Sequence, residues 1–115
     1  MVELTKEQIL SQLFKAVSDA TRRSLLTQLC QHGPSRVTDI ADKYDMSLNA
    51  ISKHIKVLEK SGLVKRKNIG RTHWIEANLE QIGLIEDWFK KLKSIWQLRF
   101  ERLEEILKSG GAKND

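Results

Sequence analysis

The sequence predicts a mostly α-helical chain of about five helices with one small β-hairpin. Three observations lead there. Apolar residues recur at spacings of three and four in several separate segments, which is the period of a helix with one buried face. Two short runs, Leu63-Val64-Lys65-Arg66-Lys67 and Thr72-His73-Trp74-Ile75-Glu76-Ala77, stand either side of Asn68-Ile69-Gly70-Arg71, as two strands stand around a turn. Asp, Ser, Thr and Asn precede the helical segments and Gly follows several of them, the residue types that satisfy the unpaired backbone groups at helix ends.

In chain order, Thr5 to Val17 carries Ile9, Leu10, Leu13, Phe14 and Val17 on one side and reads as a first amphipathic helix. Ser18-Asp19 interrupts it. Asp19 is suited to cap a second helix, Ala20 to Gln31, with Leu25, Leu26 and Leu29 inward and Gly33-Pro34 as its stop. Arg22 and Arg23 stand near the start of that helix, against its dipole, so they are expected to serve a local carboxylate or a phosphate. Arg36-Val37 is short enough for a single sheet pairing. Thr38 then caps a short helix, Asp39 to Tyr44, with Ile40, Ala41 and Tyr44 inward, and Asp45-Met46-Ser47 forms a turn.

Ser47 caps the next helix, Leu48 to Lys60, which Ser61-Gly62 ends through a left-handed Gly62. At about 100° per residue, Leu48, Ile51, Ile55 and Leu58 fall on one side and Asn49, Ser52, Lys53, Lys56 and Lys60 on the other. The order is therefore helix, tight turn, helix, then a hairpin wing. Trp74 is assigned to the core. Asn78 caps a last helix, Leu79 to Lys108, whose apolar positions include Trp88, Leu92, Ile95, Trp96 and Leu103. So long a stripe exceeds what one small core can cover. It predicts a homodimer, closed by the first and last helices through Ile9, Leu13, Trp88, Leu92, Ile95, Trp96 and Leu103.

The domain organisation that follows is a single winged helix-turn-helix domain over 1–108, with the helix-turn-helix at 38–60, the wing at 63–77, dimerisation helices at 5–17 and 79–108, and a disordered tail at 109–115. At 115 residues, 40% hydrophobic and 30% charged, the chain is long enough for one modest core. It has no apolar run of membrane-spanning length, and its Met-Val-Glu-Leu-Thr-Lys-Glu-Gln start has no signal-peptide pattern, so a cytoplasmic protein without a membrane partner is expected. The single cysteine, Cys30, excludes an intrachain disulfide.

Charge points to a partner. Ser47 to Trp74 contains seven Lys or Arg (Lys53, Lys56, Lys60, Lys65, Arg66, Lys67, Arg71) and one acid, Glu59, a net of +6 in a chain whose total is +5, so the remainder carries −1. Basicity confined to one helix and hairpin is the footprint of a nucleic-acid binder. Asn and Ser can read base edges, and Lys can hold phosphates or guanine. The candidate DNA-contacting residues are Ser47, Asn49, Ser52, Lys53, Lys56 and Lys60 on the helix, with Arg71 and Thr72 on the wing. His54 lies on the shoulder of the helix beside Ala50 and Val57, and is expected to pack, partly buried, under the wing.

These residues resemble the ArsR-type winged helix-turn-helix repressors over nearly the whole chain. The likeness rests on Leu-Phe-Lys-Ala-Val-Ser-Asp-Ala-Thr-Arg-Arg-Ser-Leu-Leu at 13–26, Val-Thr-Asp-Ile-Ala-Asp-Lys-Tyr-Asp-Met-Ser at 37–47, Ala-Ile-Ser-Lys-His-Ile-Lys-Val-Leu-Glu-Lys-Ser-Gly-Leu-Val at 50–64 and Gly-Arg-Thr-His-Trp at 70–74. The resemblance implies a homodimeric repressor with helix 48–60 of each subunit in successive major grooves of double-stranded DNA. Many such proteins sense metals, and here the sequence departs. Where thiolate sensors carry Cys-x-Cys this chain has Val37-Thr38-Asp39-Ile40-Ala41, and residues 79–108 contain no histidine. Cys30 and His32 offer two ligands where a closed site wants about four, and Cys30 is expected to pack in the core. The family's Gln-Pro is replaced by Leu48-Asn49, so the operator is not transferable.

The function expected is that of a sequence-specific, autoregulatory repressor on a palindromic operator, with no cofactor and no metal ligands, its effector unidentified. Two alternatives stay open, a metal- or ligand-responsive repressor of the same family and a winged-helix module that binds protein. An enzyme is not expected, since there is no nucleophile-base pair at useful spacing and no Gly-rich phosphate loop.

Overall fold

The computed structural model describes residues 3–113, with side chains to residue 110. Five helices and three strands follow in the order α1 (Lys6–Val17), α2 (Ala20–His32), β1 (Ser35–Arg36), α3 (Val37–Ala41), α4 (Leu48–Lys60), β2 (Val64–Ile69), β3 (Thr72–Ala77) and α5 (Leu79–Lys113). The strands form one antiparallel sheet in the order β1-β3-β2. The chain falls into two compact units, Met1–Ile85 and Glu86–Asp115.

The core of the first unit is built from one face of each element. Leu10, Leu13 and Ala16 of α1, Leu25 and Leu29 of α2, Ile40 and Ala41 of α3, Ile51, Ile55 and Leu58 of α4, and Leu63, Val64 and Ile75 of the sheet are all buried. At roughly 1.5–3 kcal/mol for each fully buried large apolar side chain, this cluster is what opposes the entropy of ordering the chain. Leu13 is 0% exposed in its own chain. The expected role of Leu13 at a dimer interface is therefore corrected, because its helical phase is spent on the core and it has no surface to offer.

α1 begins with a reciprocal cap in which the Thr5 hydroxyl accepts from the Gln8 backbone N–H and the Gln8 side chain accepts from that of Thr5. Asp19 caps α2 by accepting from the Arg22 N–H. Arg22 and Arg23 explain their unusual place in α2 by turning back onto α1. Arg22 Nε donates to the Ala16 carbonyl at 2.7 Å and its Nη2 to that of Lys15 at 3.1 Å, while Arg23 Nη1 donates to that of Val17 at 2.7 Å. Carbonyls at the end of a helix are short of internal partners and sit at its negative pole, so two guanidinium groups are favoured there; the Lys15 carbonyl also accepts from the N–H and hydroxyl of Ser18.

Three local expectations are corrected. Strand pairing takes Ser35 and Arg36, opposite Ile75 and Trp74, so the chain leaves the sheet at Arg36 and α3 starts at Val37 with Arg36, not Thr38, in the capping position. Asp39 then pairs with Arg36 at 2.8 Å. Trp74 is half-buried rather than core, because Ile75 takes the buried face of β3 and the alternation of a strand turns Trp74 to the other one. α5 continues through Ser109 to Lys113 where a disordered tail is expected, since extending a formed helix adds a backbone bond per residue and each glycine costs only about 1 kcal/mol; residues 114 and 115 lie outside the described residues.

α5 is tied to the first unit at its start. The Asn78 side chain donates to the Gly62 carbonyl at 2.9 Å and Gln81 Nε2 to that of Ser61 at 3.1 Å. Asn78 holds the capping position, its carbonyl accepting from Ile82, but its amide is engaged across to the end of α4. From Glu86 the helix is a unit by itself, and Phe89, Leu92, Ile95, Trp96, Leu98, Phe100, Leu103, Ile106 and Leu107 are exposed on it.

Candidate nucleic-acid interface

α4 is set by its two ends. Ser47 Oγ accepts from the Ala50 N–H at 3.1 Å, and at the other end Leu63 N–H reaches the Leu58 carbonyl while Gly62 N–H reaches that of Glu59. That pair of bonds requires a left-handed residue between them, and Gly62 has φ +83°. With its ends fixed, α4 buries Ile51, Ile55 and Leu58 at 0% exposure and turns the opposite face outward. Asn49, Lys53, Lys56 and Lys60 are exposed and Ser52 is half-buried on that face. Ser47 is exposed too, its hydroxyl engaged as the cap.

Leu48 departs from expectation. It is 49% exposed, and Met46 beside it is 37% exposed. The buried run of α4 starts only at Ile51, so the first turn carries an apolar side chain next to Asn49 on the open surface. Phase alone assigned Leu48 to the core, and the missing information was where the neighbouring element ends.

The wing is a two-residue hairpin, tighter than the four-residue turn expected. Ile69 pairs with Thr72, leaving Gly70-Arg71 as the loop, with Gly70 at φ +63°. Arg71 is exposed at its tip and Thr72 half-buried. Two of the basic residues are internally engaged. Arg66 binds Glu59 of α4 through both carboxylate oxygens, and Lys67 Nζ lies 3.1 Å from Glu76 Oε1. The Glu59 carboxylate raises the Arg66 pKa further. Lys53, Lys56, Lys60, Lys65 and Arg71 form no ion pair among the described residues.

His54 is partly buried, but against α2 rather than under the wing. Its Nδ1 is 3.4 Å from Arg22 Nη1 and 3.8 Å from Asp19 Oδ2. An arginine can only donate, so Nδ1 accepts from Arg22 in the neutral ring, whereas the protonated ring is the form that pairs with Asp19. Asp19 has its pKa lowered, first by the Arg22 backbone N–H and further by the charges of His54 and Arg22. His73 is exposed and bonds Asn68 Oδ1 at 2.6 Å. Cys30, expected in the core, is exposed, and so is His32. Among the described residues no three His, Cys, Asp or Glu side chains are grouped to hold a metal ion. No helix is long and apolar enough to cross a membrane.

The comparisons agree with this geometry. A helix-turn-helix domain model matches residues 17–67, which run from the end of α1 into β2. The HTH-type transcriptional regulator YuzN of Bacillus subtilis is 34% identical over 85 residues, covering 68% of this chain and 92% of that one. The arsenical resistance operon repressor of the same organism is 29% identical over 87 residues, 72% and 83% of the two chains. Among solved structures, an ArsR-like transcriptional regulator from Rhodococcus sp. RHA1 superposes with a TM-score of 0.77 at 25% identity over 90% of this chain and 96% of that one. The crystal structure of an ArsR family transcriptional regulator superposes with a TM-score of 0.73 at 31% identity, over 84% and 97%. Shared sequence across almost the full length of such relatives, on the same helix and wing arrangement, means that this chain belongs to the ArsR family of winged helix-turn-helix DNA-binding transcriptional regulators.

Proposed function

We propose that the protein is a homodimeric repressor that lays α4 of each subunit in successive major grooves of a palindromic operator and sets its wing against the flanking backbone. One observation carries the reading: Asn49, Lys53, Lys56 and Lys60 share the exposed face of a helix whose other face is core, and Arg71 and Lys65 extend the same unpaired charge onto the wing. Lys53, Lys56, Lys60 and Arg71 hold phosphates. Asn49 and Ser52 read base edges, Ser47 and Thr72 add hydroxyl contacts, and the exposed Leu48 meets a thymine methyl.

The dimer is closed by α1 and α5, through Ile9, Trp88, Leu92, Ile95, Trp96 and Leu103. Support comes from the exposure of Leu92, Ile95, Trp96 and Leu103 at 45%, 64%, 70% and 52% on a helix of 35 residues, far more apolar surface than a solvated helix carries. The protein works in the cytoplasm, without a cofactor and without a metal switch, in keeping with the absence of cysteine from Val37–Ala41.

Footprinting on the protein's own upstream region tests the repressor. Two protected half-sites about one helical turn, ~34 Å, apart are expected. If each dimer engages 6 to 10 phosphates, affinity falls on the order of 10³ to 10⁵-fold between 50 and 200 mM salt. A weak shift indifferent to salt would contradict the assignment. Repeating the assay with chelator and with added arsenite, zinc or nickel is expected to leave affinity unchanged; release by any of them would replace the metal-free reading.

A further inference from the structure

We infer that Arg22 is a positioning residue, which ties the end of α1 to α4 through His54 and thereby sets the distance between the two DNA-reading helices of the dimer. The inference rests on the DNA-binding dimer proposed above and adds a mechanical link to it. A single planar guanidinium makes three contacts to two other elements: Nε to the Ala16 carbonyl at 2.7 Å, Nη2 to the Lys15 carbonyl at 3.1 Å, and Nη1 to His54 Nδ1 at 3.4 Å. Its own backbone N–H is held at 3.0 Å by Asp19. Because the donors of a guanidinium sit in one rigid fork, the two carbonyls of α1 and the ring of His54 are held at a fixed separation.

The neighbouring arginine isolates the effect. Arg23 also caps α1, on the Val17 carbonyl, and among the described residues has no hydrogen bond to α4. Loss of Arg23 therefore removes a cap of α1 and leaves the link to α4 in place, whereas loss of Arg22 removes both its caps of α1 and that link. His54 sits between Lys53, exposed on the groove face, and Ile55, fully buried. A shift of His54 relative to α1 therefore moves the whole exposed face, and if α1 joins the dimer clamp, it moves the face relative to its symmetry mate. Lysine could supply the charge but not the three directions.

The test uses the full-length protein. Wild type first selects a duplex from a library of randomised 30-bp DNA; binding is then measured on the selected site and on versions with one base pair added or removed at its centre. Thermal melts and sedimentation are run on every variant. Wild type is expected to discriminate sharply among the three spacings. Arg22→Gln and His54→Leu are expected to remain folded dimers whose spacing discrimination drops by about tenfold. His54→Asn, whose amide oxygen can accept from Arg22, retains most of it, and Arg23→Gln retains all of it.

Folded dimeric variants that keep the wild-type discrimination, or that lose affinity equally on all three spacings, overturn the positioning role while leaving DNA binding intact. Should Arg22→Gln fail to fold, His54→Leu against His54→Asn decides by the same criterion. A wild-type protein that selects a site but tolerates every spacing also overturns it. Failure of the wild type to select any duplex overturns the DNA reading itself.

Discussion

Arg66 of β2 grips Glu59 of α4 by both carboxylate oxygens, Nη2 to Oε1 at 2.6 Å and Nε to each oxygen at 3.2 Å. Both side chains are 28% exposed, so water screens the pair only in part. The bond locks the wing to the helix it follows and neutralises one of the seven basic residues between Ser47 and Trp74. Glu59→Gln or Arg66→Ala is expected to lower stability by about 1–3 kcal/mol, since each leaves a half-buried charge without its partner. Urea denaturation of both single variants and the double variant measures the coupling. Additive losses would mean the pair contributes nothing specific.

Gly62 is needed twice over. Its φ of +83° is a conformation that side chains resist, and a Cβ placed on it would lie 2.8 Å from Gln81 Nε2, the atom that donates to the Ser61 carbonyl. Gly62→Ala is expected to cost about 1–2 kcal/mol from the backbone alone, with a further loss as Gln81 is pushed off its acceptor. Adding Gln81→Ala should recover no stability beyond relief of that contact. Thermal melts showing the single variant as stable as wild type would refute the strain.

Elements with a strong local signal were legible in the sequence. The cap at Ser47, the glycine end at Gly62 and the burial of Ile51, Ile55 and Leu58 all follow from residues within four positions of one another. What was not legible depends on contacts distant in sequence. Thr38 looks like a cap, but the strand pairing of Arg36 with Trp74 dictates where α3 begins. Arg22 looks like a misplaced charge until α1 and His54 are seen beside it. Trp74 and Leu48 look like core because hydrophobicity is intrinsic to a residue while burial is not. The one signal available for Arg22 was negative: a cation at the wrong pole of its own helix needs a partner elsewhere.

Lys56 and Asn49 share the exposed face of α4 but should fail differently. Lys56→Ala removes a phosphate contact, so all sequences are weakened alike and the slope of log affinity against log salt falls by about 1. Asn49→Ala removes a base contact, relaxing preference at one position of each half-site by about 1–3 kcal/mol while leaving the salt slope in place. Competition binding against single-base operator variants separates the two. Identical profiles would contradict both roles.

Asp19 makes stability depend on acid. Its carboxylate is held below the ordinary value of 3.8, first by the Arg22 N–H it caps, so protonation disfavours the folded state. The stabilisation is complete above pH 3.8 and is lost as pH falls through the lowered folded value. Asn caps a helix about as well as Asp but does not titrate. Asp19→Asn is therefore expected to melt close to wild type at pH 6 and to lose less than wild type between pH 5 and pH 2.5. Parallel melting curves for the two proteins across that range would show that Asp19 carries no such linkage.

Trp96 is 70% exposed and Leu103 52% exposed on the part of α5 that forms its own unit. Neither contributes to the core of residues 3–85, so replacing them should leave that fold alone. In a two-fold dimer each substitution is counted twice. Trp96→Glu at a loss of about 2 kcal/mol per protomer weakens association on the order of a thousandfold. The expected outcome is a shift from dimer to monomer in sedimentation at micromolar protein, with the thermal melt of the winged domain retained. DNA affinity should fall with it, because a monomer engages one half-site. A Trp96→Glu protein that still sediments as wild type would remove α5 from the clamp and leave α1 to close the dimer without it.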